Sequence, residues 1–430
     1  MATLKAGFGR ADITPHKGGR LVGYGGRDEG NTGANDPLLA RALVIEAGHE
    51  RYALLSLELC YVNDETVKSI RQVLGQRFDL VAEHVHMATT HTHGGPDDRM
   101  SDNWDRPLAN IVGDAVGAAI ASLQPCRLGS GSGFLYGYSI NRRWLDRPVD
   151  PAVAVVRIDD AQGRPLGVIV NYACHAVVMG YDNLRVTGDW PGYAARYIEE
   201  DLGPGATCLF FQGGAGDINP LVEGVRQQLQ GERTVRAIGE VSAYYGSADD
   251  ADAYNVGDRG GGTFQECEEL GRAFRDEVLR VSRRIATTGS PGPVWAESLR
   301  VDALKGSDEP VPVKAYTPPH QLLAERPMEG ERFRSVEIAL LGIGDTVLIT
   351  EPGEVFSETA VRFRAGAQLM GYRTVMLVSY ANDWLLYLPE FDAFDEGGYE
   401  PGWAVALNIS RRFQERVWNL IEPRLRSRAP

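Results

Sequence analysis

The sequence predicts an α/β fold, with mixed β-sheets flanked by helices in a single large domain. Three observations carry that prediction. Short runs rich in Val, Ile and Leu recur along the chain, stretches of helical length separate them, and no sharp change of composition divides the 430 residues into independent units.

Taken in order, residues 42–46 and 52–58 read as strands and 63–78 as a polar helix. Residues 81–90 read as a further strand, and 107–123 as a helix rich in Ala and Gly. Strands follow at 152–158, 166–172 and 207–212, with a helix at about 190–201 before the last of them. Residues 220–265 break the rhythm with Gly, Asp and Tyr clusters and read as a long surface excursion. A helix at 266–285 leads into a Pro-rich irregular stretch over 289–330. The last third returns to α/β, with strands at 336–341, 346–350 and 374–379, a helix at 354–367 and an amphipathic helix at about 405–420.

The formal charge of -14 argues against nucleic acid and anionic membranes as partners, because both are bound through surplus Lys and Arg. A small-molecule or lipid-like neutral substrate fits better. There is no uninterrupted apolar run of about 18 residues, so no transmembrane segment is expected. The N-terminus has no export-signal pattern, and the five cysteines form no Cys-x-x-Cys pair. The expectation is a cytoplasmic protein, although a mature secreted form would read the same. The sequence leaves the oligomeric state open, a homo-oligomer included.

Four of the eight histidines fall between residues 84 and 93. On a strand, residues i and i+2 share a face, so His91 and His93 are expected to project together where Gly94-Gly95-Pro96 ends the run. That placement suits a metal or catalytic site, whereas His84 and His86 lack a terminating turn and read as structural. His175 emerges from the end of another apolar run. Asp189 then reads either as a helix N-cap, with Pro191 in the first turn, or as a residue holding a ligand histidine from behind. The glycines of 213–217 read as an active-site loop, since neither a P-loop nor a Gly-x-Gly-x-x-Gly pattern is present. Glu354 reads equally as a carboxylate at a helix mouth and as an oxygen ligand. Tyr387 and Tyr399 lie in polar, turn-rich surroundings.

Together these segments resemble the neutral, non-lysosomal ceramidases. The resemblance runs from Gly9-Arg10-Ala11-Asp12-Ile13-Thr14-Pro15 through Thr90-His91-Thr92-His93-Gly94-Gly95-Pro96, Ile140-Asn141-Arg142 and Asn171 to His175. It continues through Gly188-Asp189, Gly216-Asp217, Pro352-Gly353-Glu354 and Tyr387 to Tyr399-Glu400. It implies one zinc ion per chain on His91, His175, Glu354 and Tyr387, with His93, Arg142 and Tyr399 around the scissile amide. Asp189, Asp217 and Glu58 would support these from behind. Asn219 stands where the family carries a serine, and the chain ends at Pro430 without the family's C-terminal sandwich domain. The expected activity is zinc-dependent hydrolysis of an N-acyl amide by metal-activated water. The alternatives are a zinc esterase or lactonase, a short-chain N-deacylase on a non-lipid substrate, or a non-catalytic ligand-binding protein on the same fold.

Overall fold

The computed structural model describes residues 4–24, 27, 29–143, 147, 149–223, 225, 226, 262–306 and 334–430. Eight strands form the larger sheet: β1 (Lys5–Asp12), β2 (Leu39–Ala47), β3 (Glu50–Leu57), β4 (Val85–Thr89), β5 (Gln124–Phe134), β6 (Ala152–Asp160), β7 (Pro165–Tyr172) and β8 (Thr207–Gln212). Their spatial order is β8-β7-β6-β5-β1-β2-β3-β4. Pairing is parallel at the two ends, β3 with β4 and β7 with β8, and antiparallel between them. A smaller sheet of β9 (Val294–Val301), β10 (Val336–Ile343), β11 (Thr346–Thr350) and β12 (Thr374–Val378) also closes on a parallel pair, β11 with β12.

Strand alternation explains how the sheets stack. In β2, Ala40, Ala42 and Val44 face helices α1 (Asp64–Phe78) and α2 (Leu108–Ala121), while Leu43 and Ile45 face a different core. In that second core they join Leu341, Ile343, Leu348 and Met376 of the smaller sheet. The two sheets are therefore packed face to face. Helices α3 (Asp189–Leu202) and α4 (Phe264–Ser282) cover the other end of the larger sheet through Trp190, Ile198, Phe274 and Val278. Helices α5 (Ser357–Leu369), α6 (Tyr399–Ala406) and α7 (Phe413–Ser427) pack on the outer side of the smaller one. Both sheets are buried on both faces, which is why their strands read as nearly continuous apolar runs.

Several sequence expectations change. Strands β1 and β5 escaped the apolar-run criterion because glycines replace side chains where helices press closest. A Cβ on Gly7 or Gly9 would lie 2.0–2.1 Å from carbonyl oxygens of α2. Residues 82–84 form a 3-10 turn before the shorter strand β4. The helix expected from residue 354 begins at Ser357, because Glu354–Val355 is instead a short strand paired with Tyr387–Leu388. Strand β9 lies inside the stretch expected to be irregular, and the terminal helix is two helices. Helix α4 starts after a capping box formed by Thr263 and Glu266. Most of the expected excursion, 227–261, and residues 307–330 of the Pro-rich stretch lie outside the described residues. Among the described residues no helix is long and apolar enough to cross a membrane.

Candidate metal centre

Three parallel pairs, β3/β4, β7/β8 and β11/β12, send their carboxyl ends toward one place. Beyond the carboxyl ends of parallel strands, backbone groups leave the ladder and side chains are free to converge, which makes these ends the usual seat of α/β sites. Here Cys60 follows β3, His91 and His93 follow β4, His175 follows β7, Gln212 ends β8, Glu354 follows β11 and Tyr380 follows β12.

His91 and His93 do come together, but not by strand alternation. The strand ends at Thr89, and His91 takes φ +62°, a left-handed conformation that costs a non-glycine residue about 1–3 kcal/mol. That turn brings the two rings to 4.8 Å between centroids, with their Nε2 atoms 3.2 Å apart. His91 Nδ1–H donates to the Cys60 carbonyl at 2.8 Å. His175 Nδ1–H likewise donates to the carbonyls of Ala215 (2.5 Å) and Ile218 (3.1 Å). With Nδ1 protonated on both rings, each Nε2 is left as a lone pair. Gln212 ties the two segments together, its amide donating to the Thr90 and Cys174 carbonyls while its oxygen accepts from the Cys174 N–H.

Glu354 completes the cluster from the smaller sheet. Its Oε2 lies 3.2 Å from His175 Nε2 and 3.5 Å from His91 Nε2, and the side chains of all three residues are at most 3% exposed. Burial pulls both imidazoles down to about 3, so they are neutral at pH 7. Two lone pairs and a carboxylate thus face one another, with donor atoms all within 4.8 Å. Acceptors crowded in a dry site repel unless a proton or a cation is shared among them, so this group could hold a metal ion. Two imidazole nitrogens and a carboxylate oxygen form a donor set that suits zinc. Cys60, His91 and His93 make an overlapping group that shares His91.

A second layer of side chains braces the carboxylate wall. Tyr387 pairs with Glu354 in the short parallel ladder, and its hydroxyl accepts from Arg142 Nη2 at 3.0 Å. Arg142 also donates to Glu400 (2.7 Å), to Asn219 Oδ1 (3.2 Å) and to the Gly216 carbonyl (2.8 Å). Tyr399 stands edge-on to Tyr387, centroids 5.6 Å apart. Asp217 accepts from Asn141 and from the Ser357 N–H, joining the Arg142 strand to the start of α5. Burial pushes its carboxyl up to about 6. His93, half-buried, lies edge-on to Tyr24 with centroids 4.7 Å apart, and burial takes its pKa well below the ordinary histidine range.

The sequence pattern described as neutral/alkaline non-lysosomal ceramidase, N-terminal, matches residues 4–274. The chain belongs to this family. Relatives include the neutral ceramidase of Mycobacterium tuberculosis, 28% identical over 263 residues, covering 51% of this chain and 41% of that protein. The neutral ceramidase of Pseudomonas aeruginosa is 24% identical over 465 residues, covering 92% of this chain and 68% of that protein. The crystal structure of the Pseudomonas ceramidase superposes with a TM-score of 0.75 at 20% identity, covering all of this chain and 75% of that one. A ceramidase complexed with C2 superposes with a TM-score of 0.73 at 20% identity, covering 99% and 75%. The chain is thus a member of the ceramidase family with the ceramidase fold, and it spans 41% of the Mycobacterium relative's length.

The positions singled out in the sequence divide unevenly. His91, His175 and Glu354 form the cluster, while His93, Tyr387, Arg142, Tyr399 and Asn219 border it or brace it. Asp189 is no N-cap: the cap position is Gly188, and the Asp189 carboxylate accepts from the Val178 and Met179 N–H groups, fixing the chain just after His175. Glu58 is spent elsewhere, paired with Arg41 at 2.6 Å and accepting from the Leu39 N–H. His84 lies against Tyr52 and Glu50, outside the cluster. Sequence reasoning missed Cys60, Gln212, Tyr380 and Glu400. The first three were findable, since each ends or closely follows a strand of a parallel pair.

Proposed function

We propose that this chain is a zinc-dependent hydrolase of an N-acyl amide, with His91, His175, Glu354 and Tyr387 holding the ion. The observation that carries the reading is the buried convergence of two neutral imidazole lone pairs on one carboxylate. A zinc ion bound there would act as a Lewis acid and lower the pKa of a coordinated water to about 7.

The protein's own groups do the rest. Neutral His93 beside the cluster can take a proton and pass it to the departing amine. The N–H groups of Arg142 are largely committed to Glu400, Asn219, Gly216 and Tyr387. Its part is therefore to aim the Tyr387 hydroxyl and to set a fixed positive charge near the oxygen that becomes negative. Tyr399, half-buried at the start of α6, can offer its hydroxyl from the substrate side. Relatives named neutral ceramidases support a ceramide-like amide as the substrate.

Zinc analysis combined with an N-acyl and O-acyl substrate panel tests the reading. The wild type should carry one zinc and prefer the amides. His175→Ala should lose both the zinc and the turnover while remaining folded. Full turnover in a metal-free His175→Ala protein would refute the ligand assignment, and a preference for esters would move the reaction to another acyl bond.

A further inference from the structure

Tyr380 has a place in the cluster that its neighbours do not explain. It follows β12 and takes φ +56°, a strained conformation for a tyrosine. Its N–H donates to the Gly353 carbonyl at 3.0 Å, and its own carbonyl accepts from the Thr89 N–H at 3.2 Å. One residue thus clamps the segment that leads to Glu354 against the segment that leads to His91. Its ring lies on the His91 ring, centroids 4.0 Å apart and planes 18° apart. Stacking of this kind fixes the plane of the imidazole, and so the direction of Nε2.

The hydroxyl is the unexplained part. Tyr380 is completely buried, and its Oη has no hydrogen-bond partner among the described residues. A buried, unpaired hydroxyl costs about 1–3 kcal/mol, and a phenylalanine would give the same stacking without that cost. The charged or ionisable groups nearest to it are Glu354, Tyr387, Arg142 and Cys60, all at this site. Strain, a double backbone clamp and an idle hydroxyl at one residue are the signature of a site prepared for a ligand.

We propose that the Tyr380 hydroxyl is held ready to donate a hydrogen bond to an oxygen that enters with the cation, either solvent or the acyl oxygen of the substrate. This rests on the zinc reading above. The ring and hydroxyl roles are separable, because Phe keeps the first and removes the second.

Three measurements on wild type, Tyr380→Phe and Tyr380→Ala test it. In metal-free protein, Tyr380→Phe should raise the melting temperature by roughly 1–2 °C, since an unpaired polar group is gone. With zinc present its turnover should fall about tenfold, the worth of one hydrogen bond. Tyr380→Ala should in addition weaken zinc binding, measured by chelator competition, and Phe should restore that affinity. A zinc-induced melting shift that shrinks in Tyr380→Phe assigns the hydroxyl to solvent. An unchanged shift with weaker binding of acetate assigns it to the acyl oxygen. Equal zinc shift, acetate binding and turnover in wild type and Tyr380→Phe would overturn the proposal while leaving the metal centre intact. Absence of any zinc shift in the wild type would sink the zinc reading, and this inference with it.

Discussion

The two walls of the candidate metal centre are built on different principles. On the larger sheet, the imidazoles of His91 and His175 are oriented by backbone carbonyls, those of Cys60, Ala215 and Ile218. On the smaller sheet, Glu354 and Tyr387 stand in a two-residue ladder, and Tyr387 is braced by side-chain charges: Arg142 on Glu400, and Glu400 on Arg143. A carbonyl in a fixed loop cannot be deleted by a point mutation, but a buried ion pair can. The imidazole wall should therefore tolerate substitutions around it, and the carboxylate wall should not.

The strongest way to break this contrast is Glu400→Gln. Glu400 is 1% exposed and neutralises Arg142 at 2.7 Å and Arg143 at 3.0 Å. Burial alone would raise its pKa, but the two guanidiniums hold it below the ordinary carboxylate range. Removing the charge leaves Arg142 short of its carboxylate partner and Arg143 with Glu396 alone, at 3.3 Å, which should cost about 3–5 kcal/mol in chemical denaturation. With Arg142 held only by Asn219, Gly216 and Tyr387, the Tyr387 hydroxyl is aimed less firmly, and turnover should drop on the order of 10-fold to 100-fold. Zinc should still be bound, more weakly than in wild type, because three of the four proposed ligands, His91, His175 and Glu354, are untouched. If Glu400→Gln instead releases zinc as readily as His175→Ala does, the two walls are not independent and the contrast fails.

The same contrast explains how much of the site was legible in the sequence. Histidines that end apolar runs stand out, because strand ends can be read from local pattern, and both histidines of the cluster, His91 and His175, were singled out that way. The turn that actually joins His91 to His93 was not readable, since a left-handed residue without glycine leaves no mark in composition. Strands β1 and β5 were lost for the opposite reason: their glycines are required by helices pressing on them, and a small residue looks like a loop. On the carboxylate wall, Glu354 was placed at a helix mouth because its two-residue strand depends on a partner 33 positions away, Tyr387. Glu58 was read as support for the site, and the structure pairs it with Arg41, 17 residues earlier. Long-range charge pairing is what the sequence hid.

A smaller effect sharpens the contrast by pH. Glu351, three residues before Glu354, is fully buried and accepts from Gln414 of α7 at 2.9 Å. Burial, with Glu390 adding to it, pushes its carboxyl from 4.5 up to about 8. Between those values the folded protein keeps a proton that the unfolded chain has released, so stability is fully present below pH 4.5 and is lost as pH rises through 8. The other strongly raised carboxyls, Asp98, Asp189 and Asp217, reach only about 6, and the ligand imidazoles have pKa values of about 3. Across the window from pH 6 to pH 8 the Glu351 contribution should fall by about 2 kcal/mol, against an opposing gain from His86, His91, His93 and His175, which are held below their unfolded value of 6.5 by burial. Glu351→Gln cannot ionise and keeps the histidines, so the stability of the wild type relative to the variant should fall by about 2 kcal/mol over that window in chemical denaturation. A constant difference between the two proteins from pH 6 to pH 8 would show that Glu351 does not carry this sensitivity, and the carboxylate wall would lose its claim to be the labile one.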